Sequence, residues 1–333
     1  MVRHSFFSSS GAASHSLQTQ LRLVGDIGGT NVRLALADLS GPVPQLENYE
    51  SFADTAFENF EDAVKHYLKD TGKQPGSAVI AVAGPIEHGK ARLTNGRWSF
   101  SEAALVEAGF ASAKLINDFV ALALSVEHLG ENDLGTIGPA PAAGLRETVG
   151  IVGAGTGLGV GAVVRQNGAV AVAATEGGHM SFAPTDETEI EILRLLMQRF
   201  GRVSLERVLS GPGLTNLRWA LGRIKGVEPG PLTPEEIVRL ALSDADSLCV
   251  QTLDRFCGLY GQIAGDIALA FGATGGVFLG GGIAPKLIDK LRASNFRQRF
   301  EAKGRLSHYV ASIPTQVILH PYAALLGAAN VAL

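Results

Sequence analysis

Leu21-Arg22-Leu23-Val24-Gly25-Asp26-Ile27-Gly28-Gly29-Thr30-Asn31-Val32-Arg33-Leu34-Ala35-Leu36-Ala37-Asp38 is the stretch that decides the fold class. Order begins at Leu21, in an apolar run that reads as a strand. Beyond the glycines, Val32, Leu34 and Leu36 alternate with other residues, the period of two that marks a second strand. The glycine loop therefore joins strand to strand. Rossmann and P-loop glycine loops lead from a strand into a helix, and no GxxxxGK[ST] occurs in the chain. Neither of the commonest nucleotide folds is supported.

The same pattern recurs in the second half. Residues 149–152 form an apolar strand, residues 153–159 a loop with glycine at every second position, and residues 160–164 another strand. The repetition argues for duplicated architecture. Between the two, the continuous apolar run 78–83 suits a central parallel strand. Ala113-Lys114-Leu115-Ile116 is a further buried strand, which delivers Asn117-Asp118-Phe119. Strands are also expected at residues 170–174, 275–279 and 317–320. Helices are expected at residues 57–68, 101–108, 119–128, 187–200, 204–209, 234–242, 248–271 and 323–333, with one starting near Pro285. Residues 135–144, rich in Gly, Ala and Pro, read as a loop between domains. Within 248–271, Gly258, Gly261 and Gly265 each cost about 1 kcal/mol against Ala. Another backbone should pack closely there.

The bulk properties set limits. A chain of 333 residues accommodates two domains. The net charge of -4 gives no electrostatic footprint for nucleic acid. Every apolar run is interrupted before it could span a membrane. Cys249 and Cys257 share one helical pattern and form neither a CxxC nor a metal-ligand spacing; they read as reduced core thiols of a cytoplasmic protein. Residues 1–20 are Ser-rich, aperiodic and free of acidic residues, which suits a flexible tail.

The chemistry converges on a few short motifs. In residues 26–31, Gly28 and Gly29 let backbone amides approach phosphate oxygens, and the Thr30 hydroxyl can donate. Asp26 suits Mg²⁺ held through water, because Mg²⁺ takes few carboxylates and keeps waters. The alternative is a plain hairpin turn. Four glycines in residues 153–159 need a stronger reason than turning, and a polyphosphate approaching the backbone supplies one. Asn117-Asp118 at a strand end is either a helix cap or a base that takes a proton from an attacking hydroxyl. Glu176 and His179 flank a tight glycine turn and offer a sugar both acceptors and donors. Glu206 reads from pattern alone as a solvated helix residue. Gly280-Gly281-Gly282 after a strand is either a turn or a flat seat for adenosine. Together the motifs point to phosphoryl transfer from ATP to a sugar hydroxyl.

These residues, with Leu93-Thr94-Asn95 and Ser204-Leu205-Glu206-Arg207-Val208-Leu209-Ser210-Gly211-Pro212-Gly213-Leu214, resemble bacterial glucokinases of the proteobacterial and cyanobacterial type. The match runs in order from about residue 21 to the C-terminus. It implies an α/β, two-domain actin-like (RNase H-like) ATPase fold with an interdomain cleft. It also implies a small domain of residues 21–128 plus 318–333 and a large one of residues 129–317. The implied activity is phosphorylation of D-glucose by ATP with Mg²⁺, in a homodimer. Asp118 would act as base on the C6 hydroxyl, with Asn95, Asn117, Asp118, Glu176, His179 and Glu206 around the sugar. Asp26, Gly28, Gly29, Thr30 and Asn31 would form the first phosphate loop and Gly153, Gly155, Thr156 and Gly157 the second, with Gly281 and Gly282 at the adenosine. The related ROK kinases carry a cysteine-rich zinc motif after their histidine. No cysteine lies near His179, so no structural zinc is expected.

Two other readings stand beside this one. A kinase for mannose or N-acetylglucosamine would use the same motifs. A non-catalytic sugar sensor would bind sugar and nucleotide and signal by closing; it would tolerate Asp118→Asn, which a kinase would not.

Overall fold

The computed structural model describes residues 20–28, 31–84, 86–92, 98–140, 147–166 and 169–333. The chain forms two compact units, the first from residues 1–129 with 321–333 and the second from residues 130–320.

In the first unit, β1 (Leu21–Ile27), β2 (Asn31–Asp38), β3 (Gln45–Ala53), β4 (Ser77–Val82) and β8 (Ser112–Asn117) make one sheet in the order β3-β2-β1-β4-β8. β1 and β2 are antiparallel, whereas β1, β4 and β8 are parallel. Three short strands, β5 (Ile86–Glu87), β6 (Lys90–Arg92) and β7 (Ser99–Ser101), pair separately. The helices are α1 (Phe60–Thr71), α2 (Glu102–Glu107), α3 (Asp118–Ser125) and, from the end of the chain, α11 (Ala323–Ala329).

Alternation along the strands sorts residue size onto two faces. Leu23, Ile27, Val32, Leu34, Ile80 and Val82 pack with Phe60, Tyr67 and Phe100. Val24, Ala35, Ala37, Val79 and Ala81 face Ala121, Leu325 and Ala328. The face of small residues lets α3 and α11 lie close to the sheet and to each other. A Cβ on Gly327 would overlap the Ala121 carbonyl oxygen.

The second unit repeats the plan. Its strands β9 (Leu134–Ile137), β10 (Val149–Ala154), β11 (Leu158–Gln166), β12 (Ala169–Thr175), β13 (Gly276–Gly280) and β14 (Thr315–Ile318) run in the order β12-β11-β10-β13-β14-β9. An antiparallel hairpin beside parallel partners recurs, with β9 added at the edge. Its helices are α4 (Glu187–Phe200), α5 (Gly211–Ile224), α6 (Pro234–Leu242), α7 (Ser247–Phe271), α8 (Ile288–Ala293), α9 (Phe296–Glu301) and α10 (Ser307–Ala311).

Two of the three α7 glycines singled out by their spacing meet another backbone, whereas Gly258 faces the Asn295 side chain. A Cβ on Gly261 would overlap the carbonyl oxygen of Phe296, and one on Gly265 that of Phe300, both on α9. Below that contact, buried Glu189 accepts from Arg255 (2.8 Å), Arg299 (2.7 Å) and the Thr185 amide (2.8 Å), so its charge is paired.

Several segments differ from the sequence reading, with β3 and α5 both unforeseen by it. Residues 204–209 form no α-helix, only a single turn at Leu205–Arg207, because their backbone pairs with the strand-like residues 180–182 instead. Part of the expected 135–144 loop is β9, which borrows its partner from β14 far along the chain. α11 stops at Ala329, where the last residues leave the helix to reach Arg22. No helix among the described residues is long and apolar enough to cross a membrane.

Candidate active site

In the first unit, Ile27, Val82 and Asn117 stand in register across β1, β4 and β8. The next residues, Gly28 and Asp118, therefore leave the sheet at the same edge. That edge lies at the carboxyl ends of the parallel strands, where open α/β sheets bind ligands.

Asn117 caps α3: its Oδ1 accepts from the amides of Phe119 (2.9 Å) and Val120 (3.3 Å). Its Nδ2 lies 3.5 Å from the Gly84 carbonyl oxygen. The capping role thus falls on Asn117, and Asp118 becomes the first helical residue. Asp118 Oδ1 accepts from the Phe119 amide at 2.9 Å. Burial pushes the Asp118 carboxyl up to about 6; the Asp26 carboxylate adds repulsion, and the Phe119 amide opposes both. Burial also raises Asp26, against the pull of Arg33, whose Nη1 lies 3.1 Å from Asp26 Oδ2. A carboxyl that titrates near neutrality on a rigid strand–helix junction has the properties of a proton acceptor. The Asp26 and Asp118 carboxylates are also hard oxygen donors of the kind that fit Mg²⁺.

In the first glycine loop, the Gly28 amide donates to the Asn31 carbonyl oxygen at 3.0 Å. Gly29, Thr30 and Asn95 lie outside the described residues. Sequence reasoning passes over Arg33, which reads as an ordinary exposed strand position. Its place directly opposite Asp26 in the β1–β2 register is the signal that identifies it.

In the second unit, β10 and β13 end side by side, with Gly153 in register with Gly280. The buried Tyr260 hydroxyl lies 3.1 Å from the Val152 carbonyl oxygen and 3.4 Å from that of Gly280, bracing both ends. The loops beyond them touch. Gly281 has a φ of +76°, and a Cβ there would overlap the Ala154 carbonyl oxygen. The Gly282 amide is 3.9 Å from where a Cβ on Gly155 would stand. The Gly155 amide donates to the Gly157 carbonyl oxygen (2.9 Å), closing a tight turn around Thr156, whose side chain is exposed.

Glu206 is tied to this loop. Its Oε2 accepts from the Leu158 amide at 3.0 Å, and a Cβ on Gly157 would come within 2.6 Å of it. Four residues on, Ser210 caps α5 and the Gly211 amide donates to the Gly155 carbonyl oxygen at 2.8 Å. The first turn of α5 is a contact that sequence reasoning missed. Its signal was available as a Ser cap followed by Pro212 in the first turn.

Glu176 and His179 bracket a one-turn helix, Gly177–His179, with both side chains exposed. The glycines between them are buried, and a Cβ on Gly178 would overlap the Leu158 carbonyl oxygen. The segment that follows pairs with residues 203–205, through Phe182 to Val203 (3.0 Å) and Leu205 to Met180 (2.8 Å). The second unit therefore gathers Glu176, His179, Glu206, Gly153, Gly155, Thr156, Gly157, Gly281 and Gly282 around one sheet end. Asp118, Asn117, Asp26, Gly28 and Asn31 are gathered on the first unit.

Two sheets of one topology, each with a glycine-rich hairpin and chemistry at its carboxyl edge, define the actin-like (RNase H-like) ATPase fold of sugar kinases. A glucokinase from an Antarctic psychrotroph superposes with a TM-score of 0.86 at 36% identity, over 93% of this chain and 98% of that one. A ROK family glucokinase from Streptomyces griseus, solved with glucose and AMPPNP, shares the fold at a TM-score of 0.62 and 20% identity, over 94% of this chain and 99% of that one. The glucokinase of Caulobacter sp. (strain K31) is 51% identical over 311 residues, 93% of this chain and 94% of the relative. The family model for glucokinase matches residues 23–333. The chain belongs to the glucokinase family.

Proposed function

We propose that Asp118 is the general base with which the enzyme transfers the γ-phosphoryl group of ATP, in line, to the C6 hydroxyl of D-glucose. The observation that carries this reading is the half-buried Asp118 carboxyl, raised to about 6, on the junction of β8 and α3. Phosphoryl transfer passes through a loose transition state, so positioning and charge neutralisation do most of the work. Asp118 orients the hydroxyl and takes its proton late, as the oxygen–phosphorus bond forms and the bond to ADP breaks.

The remaining roles follow from what each group offers. Glu206 spends one oxygen on the Leu158 amide and keeps the other for a sugar hydroxyl. The exposed Glu176 and His179, with Asn117 and Asn95, complete the sugar's partners. The two glycine loops suit phosphate oxygens through groups other than the Gly28 and Gly155 amides, which close their own turns, and Gly281 with Gly282 leaves a side-chain-free surface for adenosine. Mg²⁺ held by Asp26 through water would neutralise phosphate charge. The Streptomyces griseus structure, with glucose and AMPPNP bound, supports this choice of substrates. The buried, unpaired Cys249 and Cys257 support a reducing, cytoplasmic setting. The family resemblance supports a homodimer, which sedimentation tests.

The experiment is ATP- and Mg²⁺-dependent phosphorylation across glucose, mannose, fructose, galactose and N-acetylglucosamine, with Asp118→Asn as control. Glucose should be strongly preferred, and the variant should lose roughly 10²–10⁴-fold in kcat with a smaller change in glucose KM. Preference for another hexose would overturn the specificity. Full activity in the variant would overturn the base.

A further inference from the structure

Away from these loops, the second unit holds a pocket of about 310 Å³ between the end of α4, the middle of α5 and the segment entering α6. Trp219, Pro229, Pro231 and Leu232 give it flat apolar walls, and its charged groups are the guanidiniums of Arg199 and Arg218. Arg218 is incompletely satisfied, although its guanidinium also interacts with the Cys249 thiol. Its side chain is only 10% exposed, yet Nε is buried without a hydrogen-bond partner. Nη1 donates to the Gly230 carbonyl oxygen at 2.6 Å, while the Asp246 carboxylate stands 3.8 Å from Nη2, beyond hydrogen-bonding reach. A guanidinium has five donor hydrogens, and dry donors are costly. Arg199 is exposed and stacks over the rings of Phe200 (5.1 Å) and Trp219 (5.3 Å). No carboxylate pairs with it among the described residues. Asp246 offsets the charge of Arg218 as an ion pair, so the uncompensated positive charge of the pocket is that of Arg199.

We propose that this pocket binds a small organic phosphate monoester: the phosphate dianion meets the guanidiniums, and a compact planar or apolar body lies on Trp219 and the prolines. Arginine forks suit phosphate oxygens in number and geometry. The pocket is also connected to the second glycine loop. From Leu232 on its wall the chain continues through Thr233, the cap of α6, to Pro234. Pro234 Cγ lies 3.7 Å from where a Cβ on Gly211 would stand, and the Gly211 amide holds the Gly155 carbonyl oxygen. Occupancy therefore alters the affinity for nucleotide. This coupling rests on the kinase reading; the binding does not.

The test is titration of the full chain with phenyl phosphate, in saturating glucose and AMPPNP to fill the sites proposed above. Calorimetry and tryptophan fluorescence report binding. A single saturable site is expected, with a change in Trp219 emission. Arg199→Gln should weaken binding about tenfold by removing one charge-assisted contact, and Trp219→Leu should remove the fluorescence response. Arg218 is left intact because it braces the Gly230 carbonyl. Benzoate should bind more weakly, and phenol not measurably. No saturation by about 10 mM, where affinity ceases to be specific, or binding indifferent to Arg199→Gln, would overturn the site. Tighter binding of benzoate would overturn the ligand class. Binding that leaves the KM for ATP unchanged would overturn the coupling alone. Binding by a protein that phosphorylates no sugar would uphold the site and overturn the kinase reading.

Discussion

Asp118→Asn should make the protein more stable near neutral pH while removing the proposed base. In the folded chain the Asp118 carboxyl titrates at about 6 against an ordinary 3.8, because burial and Asp26 disfavour its charge. A carboxyl whose folded pKa is raised opposes folding above that pKa, and the penalty fades as pH falls toward the unfolded value. The separation is worth about 3 kcal/mol at about 1.36 kcal/mol per pH unit. Partial solvent screening of this half-buried group brings that down to about 1–2 kcal/mol. Asparagine also forfeits about 0.3–1 kcal/mol, the attraction between a negative charge and the first turn of α3. The net expectation is a gain of about 1 kcal/mol, or about 2–4 °C in Tm, at about pH 7.5 and none at about pH 4. Thermal unfolding of both proteins without ligands, at the two pH values, measures it. Equal Tm at the higher pH, or the same increment at both, would refute a raised carboxyl pKa in the folded state.

The same carboxyl should govern the acid limb of kcat/KM: activity falls as pH drops through about 6 and is about tenfold lower near pH 5. A flat profile there would remove Asp118 as the base. Gly178→Ala forces a Cβ onto the Leu158 carbonyl oxygen, which should cost about 1–3 kcal/mol and raise the KM for glucose more than that for ATP; native Tm with native kinetics would show the turn is not pinned. Glu206→Ala should lose both the Leu158 contact and glucose affinity, whereas Glu206→Gln should regain Tm but not affinity; calorimetry with glucose separates them. Glu189→Ala leaves Arg255 and Arg299 without their buried carboxylate and should cost about 3–5 kcal/mol, read from the urea midpoint.

Most of the fold was legible because its signals are local. Alternation at Val32, Leu34 and Leu36 gave the strand after the first glycine loop, and glycine spacing in α7 announced the backbone of α9. What was missed depends on distant partners. β9 reads as loop until β14 pairs with it. The segment 204–209 carries helix-like spacing, but the strand pairing at residues 180–182 claims its backbone. α5 was hidden by Gly211, Gly213 and Gly222, which lower its local propensity. The site divides in the same way. Its glycine loops and Asp118 were visible as motifs, whereas the hold of Glu206 on Leu158 spans 48 positions of chain and exists only once folded.

The first unit is assembled from two stretches far apart in sequence, before residue 130 and after residue 320. α11 covers the small-residue face of the β1–β4 sheet, and Arg22 donates to the carbonyl oxygens of Ala329 (2.8 Å) and Val331 (2.6 Å). During translation the sheet is made first, yet that face stays bare until residues 323–331 leave the ribosome. The second unit is contiguous in sequence, so it can close its core during that wait. A chain stopped short of Pro321 would carry a finished second unit joined to an uncovered sheet, a substrate for chaperones and proteases rather than an enzyme.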